Sequence, residues 1–243
     1  MNKTKNGGTP ERFANFMSDI GHKFHINLTM EDEERLKVIF SDLLTGFSMM
    51  MDKGPVITVF GSSRVTSADA EYALGVELGR ELAKLGFTVL TGGGPGLMEA
   101  VNKGAHDAKG HSIGINISIA DEQPQNPYAF PSITINYFFV RKFLLMKYSS
   151  AYIFLPGGFG TLDEFFETVT LLQTRKIANC PIILVGKEFW KGLMDWIDDR
   201  LERGGMISTE DTDSFFFADS AEEVVGIIEN CIDDGTLNLK VGK

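Results

Sequence analysis

The chain is short of cysteine and of long apolar segments, and each shortage excludes a class of protein. Only two cysteines occur in 243 residues, Cys180 and Cys231, without the spacing of a disulfide framework or a metal site. No stretch is apolar and long enough to span a bilayer. Met1–Gly8 is not followed by the apolar core of a signal peptide. We therefore expect a reduced, cytoplasmic setting without a membrane partner.

Basic residues are also in the minority, because 23 Lys and Arg stand against 33 Asp and Glu, giving a formal net charge of −10. A surface with this balance repels phosphodiester backbones and anionic lipids, so a broad nucleic-acid interface is not expected. A local basic pocket for one phosphate remains compatible with the composition.

Several cofactor signatures are missing as well. Neither the dinucleotide fingerprint G-x-G-x-x-G with its downstream acid nor the G-x-x-x-x-G-K-[ST] loop of NTPases occurs. Nothing marks a pyridoxal-phosphate lysine with its partners. No metal site is expected, because four histidines lack ligand spacing and are interpreted as structural or surface residues: His22, His25, His106 and His111.

From Pro55 onward the chain alternates between strand-like and helix-like segments. Apolar runs such as Val56–Phe60, Ala151–Leu155 and Pro181–Val185 are separated by amphipathic segments such as Ser67–Leu85. This alternation predicts an α/β fold of six strands, a Rossmann-like doubly wound parallel sheet with helices on both faces.

The residues before Pro55 are expected to form a separate part of the molecule. We assign residues 1–54 to an N-terminal tail and helical extension, residues 55–233 to the Rossmann-like domain, and residues 234–243 to a C-terminal tail. In the extension, a short helix is expected near Phe13–Ile20. A longer helix should begin after Thr29, with Asp32 as its capping partner.

Three of the expected strands end in turns of glycine and serine: Gly61-Ser62-Ser63, Gly92-Gly93-Gly94 and Gly157-Gly158. Parallel strands place such turns at one edge of the sheet, where ligands bind in folds of this type. Glycine allows close approach of the backbone, whose N–H groups favour anions at helix N-termini. The three turns together predict a nucleotide or sugar-phosphate site.

The segment Leu155–Glu164 combines one of these turns with two acids. Asp163 and Glu164 are expected in the first turn of the helix that follows, beside an anion bound at its N-terminus. The plain alternative is a tight turn followed by two acids that favour the helix dipole. The glycines alone do not decide between these interpretations.

A pair of cations, Arg141 and Lys142, is expected at the start of another helix. Cations oppose the dipole at a helix N-terminus, so the pair indicates a ligand more than a solvated helix end. Arginine suits bidentate contact with phosphate. A carboxylate such as Glu164 beside a sugar phosphate can stabilise an oxocarbenium-like transition state or activate water. The combination predicts cleavage at an anomeric carbon.

These residues resemble the motifs of the LOG (Lonely Guy) family. The resemblance is carried by Gly92–Ala100, Phe138–Lys142 and Pro156–Glu164, and it extends from Pro55 to about Ile232. Members are Rossmann-like phosphoribohydrolases, formerly named lysine decarboxylases. They release free base and ribose 5-phosphate from nucleoside 5′-monophosphates such as cytokinin ribotides, without a cofactor. The resemblance implies the same reaction here, on cytokinin ribotides, AMP or similar nucleotides, by a homodimer or higher homo-oligomer.

The resemblance also implies roles for individual residues. Arg141 and Glu164 would form the catalytic pair, and the glycines of the Pro156–Glu164 motif, with its threonine, would hold the phosphate. The expected substrate-binding residues are Ser62, Gly92, Gly93, Gly94, Met98, Glu122, Arg141, Lys142, Gly157, Gly158, Phe159, Gly160, Thr161 and Asp163.

Some features depart from the plant-type members of the family. Phe138-Phe139-Val140 stands where those members carry Met-His before the Arg-Lys pair, and the extension resembles a longer bacterial branch. The preferred base therefore stays open. One alternative is a carrier or sensor that binds a nucleotide or pterin-like phosphate without turnover, because a binder needs the glycines but not Glu164. A scaffold with a vestigial pocket is another.

Overall fold

The computed structural model describes residues 29–119 and 124–237. Within them, seven strands form one sheet in the order β4-β3-β2-β1-β5-β6-β7, and every neighbouring pair is parallel. The predicted Rossmann-like α/β fold is confirmed. The strands are β1 (Val56–Phe60), β2 (Thr88–Thr91), β3 (Ser112–Ile117), β4 (Ser132–Ile135), β5 (Ser149–Phe154), β6 (Ile182–Val185) and β7 (Phe215–Ala218).

Seven α-helices of the described part cover both faces of the sheet. They are α1 (Met30–Met50), α2 (Ala70–Lys84), α3 (Leu97–Asp107), α4 (Phe138–Lys147), α5 (Phe159–Gln173), α6 (Lys187–Trp196) and α7 (Ala221–Asp233). Successive residues of β1 alternate between the faces: Ile57 and Val59 pack with α2, α3 and α7, whereas Val56 and Phe60 pack on the side of α1, α4, α5 and α6. The sheet therefore has two hydrophobic cores, one on each face.

The N-terminal helix is anchored to the body by a buried carboxylate. The helix α1 is capped by Thr29, whose Oγ1 accepts from the Asp32 N–H at 3.1 Å, as expected. Further along, Asp42 is buried and accepts from the backbone N–H of Asn136 at 2.8 Å and from its side-chain amide at 3.0 Å. Because Asn136 closely precedes α4, this contact fixes α1 beside the start of α4.

The structure corrects some of the predicted elements. The strand β5 begins at Ser149, two residues before the predicted start, and α4 ends at Lys147. The edge strand β7 was not predicted at all. Its run of three phenylalanines lacks an alternating pattern, and two of them are only half-buried beside β6. The predicted helix near Phe13–Ile20 lies outside the described residues.

Glycines allow α2 and α3 to pack closely. A Cβ atom on Gly79 would overlap the carbonyl oxygen of Val101, and one on Gly104 would overlap the carbonyl oxygen of Val76. Neither obstacle can move easily, because both are backbone atoms within helices. This contact positions α3, which follows directly on the turn after β2.

We predict that Gly79→Ala destabilises the protein by about 1–3 kcal/mol, because the added methyl group forces the two helices apart. The matched control is Gly192→Ala in α6, where an added Cβ meets nothing within 4 Å. That variant should be neutral or stabilised by up to about 1 kcal/mol, as alanine is the better helix former. Urea denaturation measures both values. Equal stability of the two variants would contradict the close helix contact.

Candidate functional site

The three predicted turns lie side by side, because β2, β1 and β5 are neighbours in the sheet. Ser62 connects them through its backbone: its N–H donates to Pro156 O at 3.0 Å, and its carbonyl accepts from the Leu97 N–H at 2.9 Å. Strand order reverses between β1 and β5. The turns therefore surround the topological switch point of the sheet, where ligands bind in open parallel sheets.

A cleft of about 700 Å³ opens at this switch point. The expected site residues that line it are Ser62, Gly92, Gly94, Met98, Arg141, Gly158, Phe159, Gly160, Thr161 and Glu164. The structure thus brings both expected catalytic residues and residues of all three turns to one cavity.

The N-terminus of α5 presents unbonded amides to the cleft. The first backbone bond of this helix runs from the Leu162 N–H to Gly158 O at 3.0 Å, so the N–H groups of residues 159–161 precede it. Added Cβ atoms would meet nothing at Gly158 or Gly160, whereas one at Gly157 would overlap the Thr161 hydroxyl. Glycine is therefore needed at the first two positions for different reasons. Gly157 makes room for the Thr161 side chain, and Gly158 leaves the amides open to an anion.

Both acids lie one turn later than predicted. Because α5 begins at Phe159, its first turn contains no acid, and Asp163 and Glu164 fall in the second turn. Glu164 therefore reaches the cleft from the side of the helix and not from its N-terminal end. Asp163 is exposed and does not line the cleft.

Arg141 lies one turn inside α4 and reaches across to two other strand ends. Its Nε donates to Ile115 O at 2.8 Å, and its Nη2 donates to Gly92 O at 3.2 Å. Burial lowers the pKa of Arg141, and the nearby charge of Glu164 opposes that shift. An arginine fixed in this way is a positioned cation, and it also holds the turn after β2 in place.

Burial raises the pKa of the Glu164 carboxyl from 4.5 to about 7, although the positive charge of Arg141 opposes the shift. The environment therefore brings its titration close to neutrality. A carboxyl group with such a pKa, in a cleft and beside a cation, is typical of an acid–base or charge-stabilising role.

Other expected site residues do not line the cleft: Gly93, Lys142, Gly157 and Asp163. Lys142 forms ion pairs with Asp163 at 2.9 Å and with Glu167 at 2.6 Å, so it connects α4 to α5. Glu122 lies outside the described residues.

Two polar residues that the sequence analysis did not single out support the turn after β2. Asn126 donates from its side chain to Gly94 O at 3.0 Å and to Asn102 Oδ1 at 3.1 Å. Its own backbone N–H donates to Gly93 O at 2.9 Å. Both asparagines are buried, but neither belongs to a local motif, so no sequence signal marks them.

The cleft also has a cation and an amide that were not predicted as site residues, Arg64 and Asn116. Asn116 is buried near the end of β3, and its amide donates to Ser132 Oγ at 2.7 Å. The sequence feature that could have identified Asn116 is a polar side chain at the carboxyl end of a strand, because ligands bind next to these strand ends in such sheets.

The sheet and its cleft define a Rossmann-like α/β protein with its site at the switch point. A family model described as "Possible lysine decarboxylase" matches residues 98–228. The cytokinin riboside 5′-monophosphate phosphoribohydrolase LOG3 of Arabidopsis thaliana is 31% identical over 189 residues, which are 76% of this chain and 87% of the relative. The chain belongs to the LOG family, and the resemblance of its motifs is confirmed.

Two solved structures are similar in fold. The X-ray structure of TM1055 matches with a TM-score of 0.56 at 29% identity, over 72% of this chain and 99% of that one. The molybdenum cofactor binding protein from Rippkaea orientalis matches with a TM-score of 0.56 at 22% identity, over 74% and 99% of the two chains. At 22% identity the second match shows the fold alone. Among residues 29–119 and 124–237, no helix has both the length and the apolar character needed to cross a membrane.

We predict that Glu164→Gln stabilises the fold at high pH. The folded protein binds the Glu164 proton more tightly than the unfolded chain, so stability falls as the pH rises through the window from 4.5 to about 7. The variant lacks this ionisation and should exceed the wild type by up to about 3 kcal/mol at about pH 8. At about pH 4 that gain should vanish. Urea denaturation at both pH values tests this, and a difference independent of pH would contradict it.

Proposed function

We propose that the protein hydrolyses the N-glycosidic bond of nucleoside 5′-monophosphates, releasing free base and ribose 5-phosphate. Cytokinin ribotides, AMP or similar nucleotides are the proposed substrates. The observation that carries this proposal is the meeting of Arg141 and Glu164 with the open N-terminus of α5 in one cleft. The name of the Arabidopsis relative, which specifies this reaction on a cytokinin riboside 5′-monophosphate, supports it.

In the proposed mechanism, the amides of residues 159–161 bind the 5′-phosphate and orient the ribose toward Glu164. As the bond from C1′ to the base nitrogen breaks, the ionised Glu164 stabilises the positive charge that develops on the ribose. A water oxygen then bonds to C1′, and the proton that the water loses goes to the departing base. Arg141, held by two carbonyl groups, provides a fixed positive charge near the ribose phosphate or the departing base.

The walls of the cleft suit a planar base without selecting one. Met98, Phe138 and Phe159 line it, and Phe159 is 92% exposed. Aromatic and thioether side chains accept many ring systems by stacking and dispersion. The proposal therefore specifies the bond that is cleaved and the phosphate, and it leaves the base to experiment.

The alternative is a carrier that binds a nucleotide or pterin-like phosphate without turnover. The likeness in fold to the molybdenum cofactor binding protein brings this candidate to attention. A carrier has no need of a half-buried carboxyl group whose pKa is raised to about 7 by the site around it. The cost of burying Glu164 therefore favours the hydrolase.

Family resemblance also supports a homodimer or larger homo-oligomer. Large side chains remain exposed on α4, where Phe138, Phe139 and Phe143 are each about half exposed in the single chain. A second copy of the chain would cover such a surface, and light scattering of the purified protein would measure the assembly.

The two free thiols, both buried, suit the proposed cytoplasmic setting.

We predict that the purified protein releases free base from one or more nucleoside 5′-monophosphates, and that Glu164→Gln lowers kcat about 100-fold to 10,000-fold. The variant keeps the shape and removes the charge, so nucleotide binding should persist. For the wild type, kcat/KM should rise with pH through about 7 as Glu164 ionises. Chromatographic detection of the base over a panel of monophosphates makes the measurement.

The matched control is Glu188→Gln, an exposed carboxylate on α6, which should leave the rate unchanged. A Glu164→Gln variant with nearly full activity would remove Glu164 from the mechanism. Tight binding of AMP by the wild type, without release of adenine or of any other base across the panel, would favour the carrier.

A further inference from the structure

The cleft has three charged side chains among its described lining residues: Arg64, Arg141 and Glu164. A nucleoside monophosphate brings a phosphate of charge close to −2 into this cavity. The protein around it carries a formal net charge of −10. One of the two arginines of the cleft is therefore expected to contact the oxygens of that phosphate.

The Arg141 side chain is held in place by hydrogen bonds inside the protein. Two of its donors bind the carbonyl groups of Ile115 and Gly92. The neighbouring Lys142 is paired with Asp163 and Glu167 and lies outside the lining of the cleft. Neither side chain can move toward a phosphate without breaking bonds that hold α4 to the sheet and to α5.

Arg64, unlike Arg141 and Lys142, has a side chain that is free to contact a ligand. Its side chain is exposed and forms no hydrogen bond or ion pair with any residue in the ranges 29–119 and 124–237. The backbone is nevertheless fixed, because the Arg64 N–H donates to Ser62 Oγ at 3.1 Å. Ser62 in turn donates its N–H to Pro156 O, the residue that opens the glycine turn before α5.

We propose that Arg64 is a specificity-determining residue that binds the 5′-phosphate together with the amides of α5. The amides supply a neutral cradle, and Arg64 supplies the full positive charge that a dianion requires. This inference rests on the proposed function for the identity of the ligand, and it adds a phosphate contact from outside the glycine motif.

The local charge supports this role. The second and third turns of α5 carry Asp163, Glu164 and Glu167, and Lys142 pairs with Asp163 and Glu167. These acids weaken the attraction that the helix N-terminus offers to an anion. An exposed arginine with no function would be an ordinary solvated side chain. An unpaired arginine that lines the same cleft counters the repulsion that these acids exert on a phosphate.

The test compares ligands with and without phosphate. Arg64→Ala should raise the Kd of ribose 5-phosphate, measured by calorimetry, about 10-fold to 50-fold. Binding of adenosine, which has no phosphate, should change less than about 2-fold. Arg64→Lys should recover part of the loss, because it restores the charge without the planar fork. In turnover assays the KM for the nucleotide should rise while kcat stays within about 3-fold.

The control is Arg35→Ala, which removes an exposed arginine from α1, remote from the cleft. It should bind both ligands as the wild type does. Thermal melts confirm that Arg64→Ala is folded, and the retained backbone bond to Ser62 gives no reason for it to unfold. Equal weakening of ribose 5-phosphate and adenosine, or unchanged binding of ribose 5-phosphate, would overturn the inference.

Calorimetry also separates this inference from the proposed reaction. A wild-type protein that releases no base but loses affinity for ribose 5-phosphate on Arg64→Ala would support the role of Arg64 and refute the hydrolase. A wild-type protein that hydrolyses nucleotides equally well after Arg64→Ala would support the hydrolase and refute the role of Arg64.

Discussion

The backbone of Ser62 makes the two hydrogen bonds on which the site depends. One joins the end of β1 to the turn before α5, and the other joins it to the start of α3. The second contact requires a glycine, because Gly96 has a φ of +73° and an added Cβ would overlap the carbonyl oxygen of Ser62. The three turns therefore form one connected surface, and each can present amides or side chains to the cleft without moving independently.

Much of this arrangement could be predicted from sequence because it follows from local patterns. Alternating strand and helix signals determine a parallel sheet, and a parallel sheet brings the ends of its strands to one edge. What escaped prediction depends on distant contacts: the ion pairs of Lys142 come from another helix, and the bonds of Asn126 cross to Asn102 and Gly94. The strand β7 escaped for a related reason, since pairing with β6, and not its own pattern, makes it a strand.

The burial of Glu164 beside Arg141 shows how the proposed reactivity would come at the expense of stability. Burial raises the pKa of Glu164, and the charge of Arg141 only partly compensates. Full compensation would need a direct ion pair, which would lower the pKa and leave a carboxylate unable to respond to charge on a substrate. The structure has no direct ion pair between the two side chains, and two carbonyl groups hold Nε and Nη2 of Arg141. Glu164 is thus kept near the cation and still available to a ligand.

The N-terminal helix takes part in the same arrangement from outside the sheet. Asp42 binds Asn136 immediately before α4, and Gly46 lets Leu144 of α4 pack directly against α1. The position of Arg141 along α4 therefore depends on α1 as well as on the strand ends. Helix α1 is accordingly part of the support of the site, because the helix that carries Arg141 is held on one side by the sheet and on the other by α1.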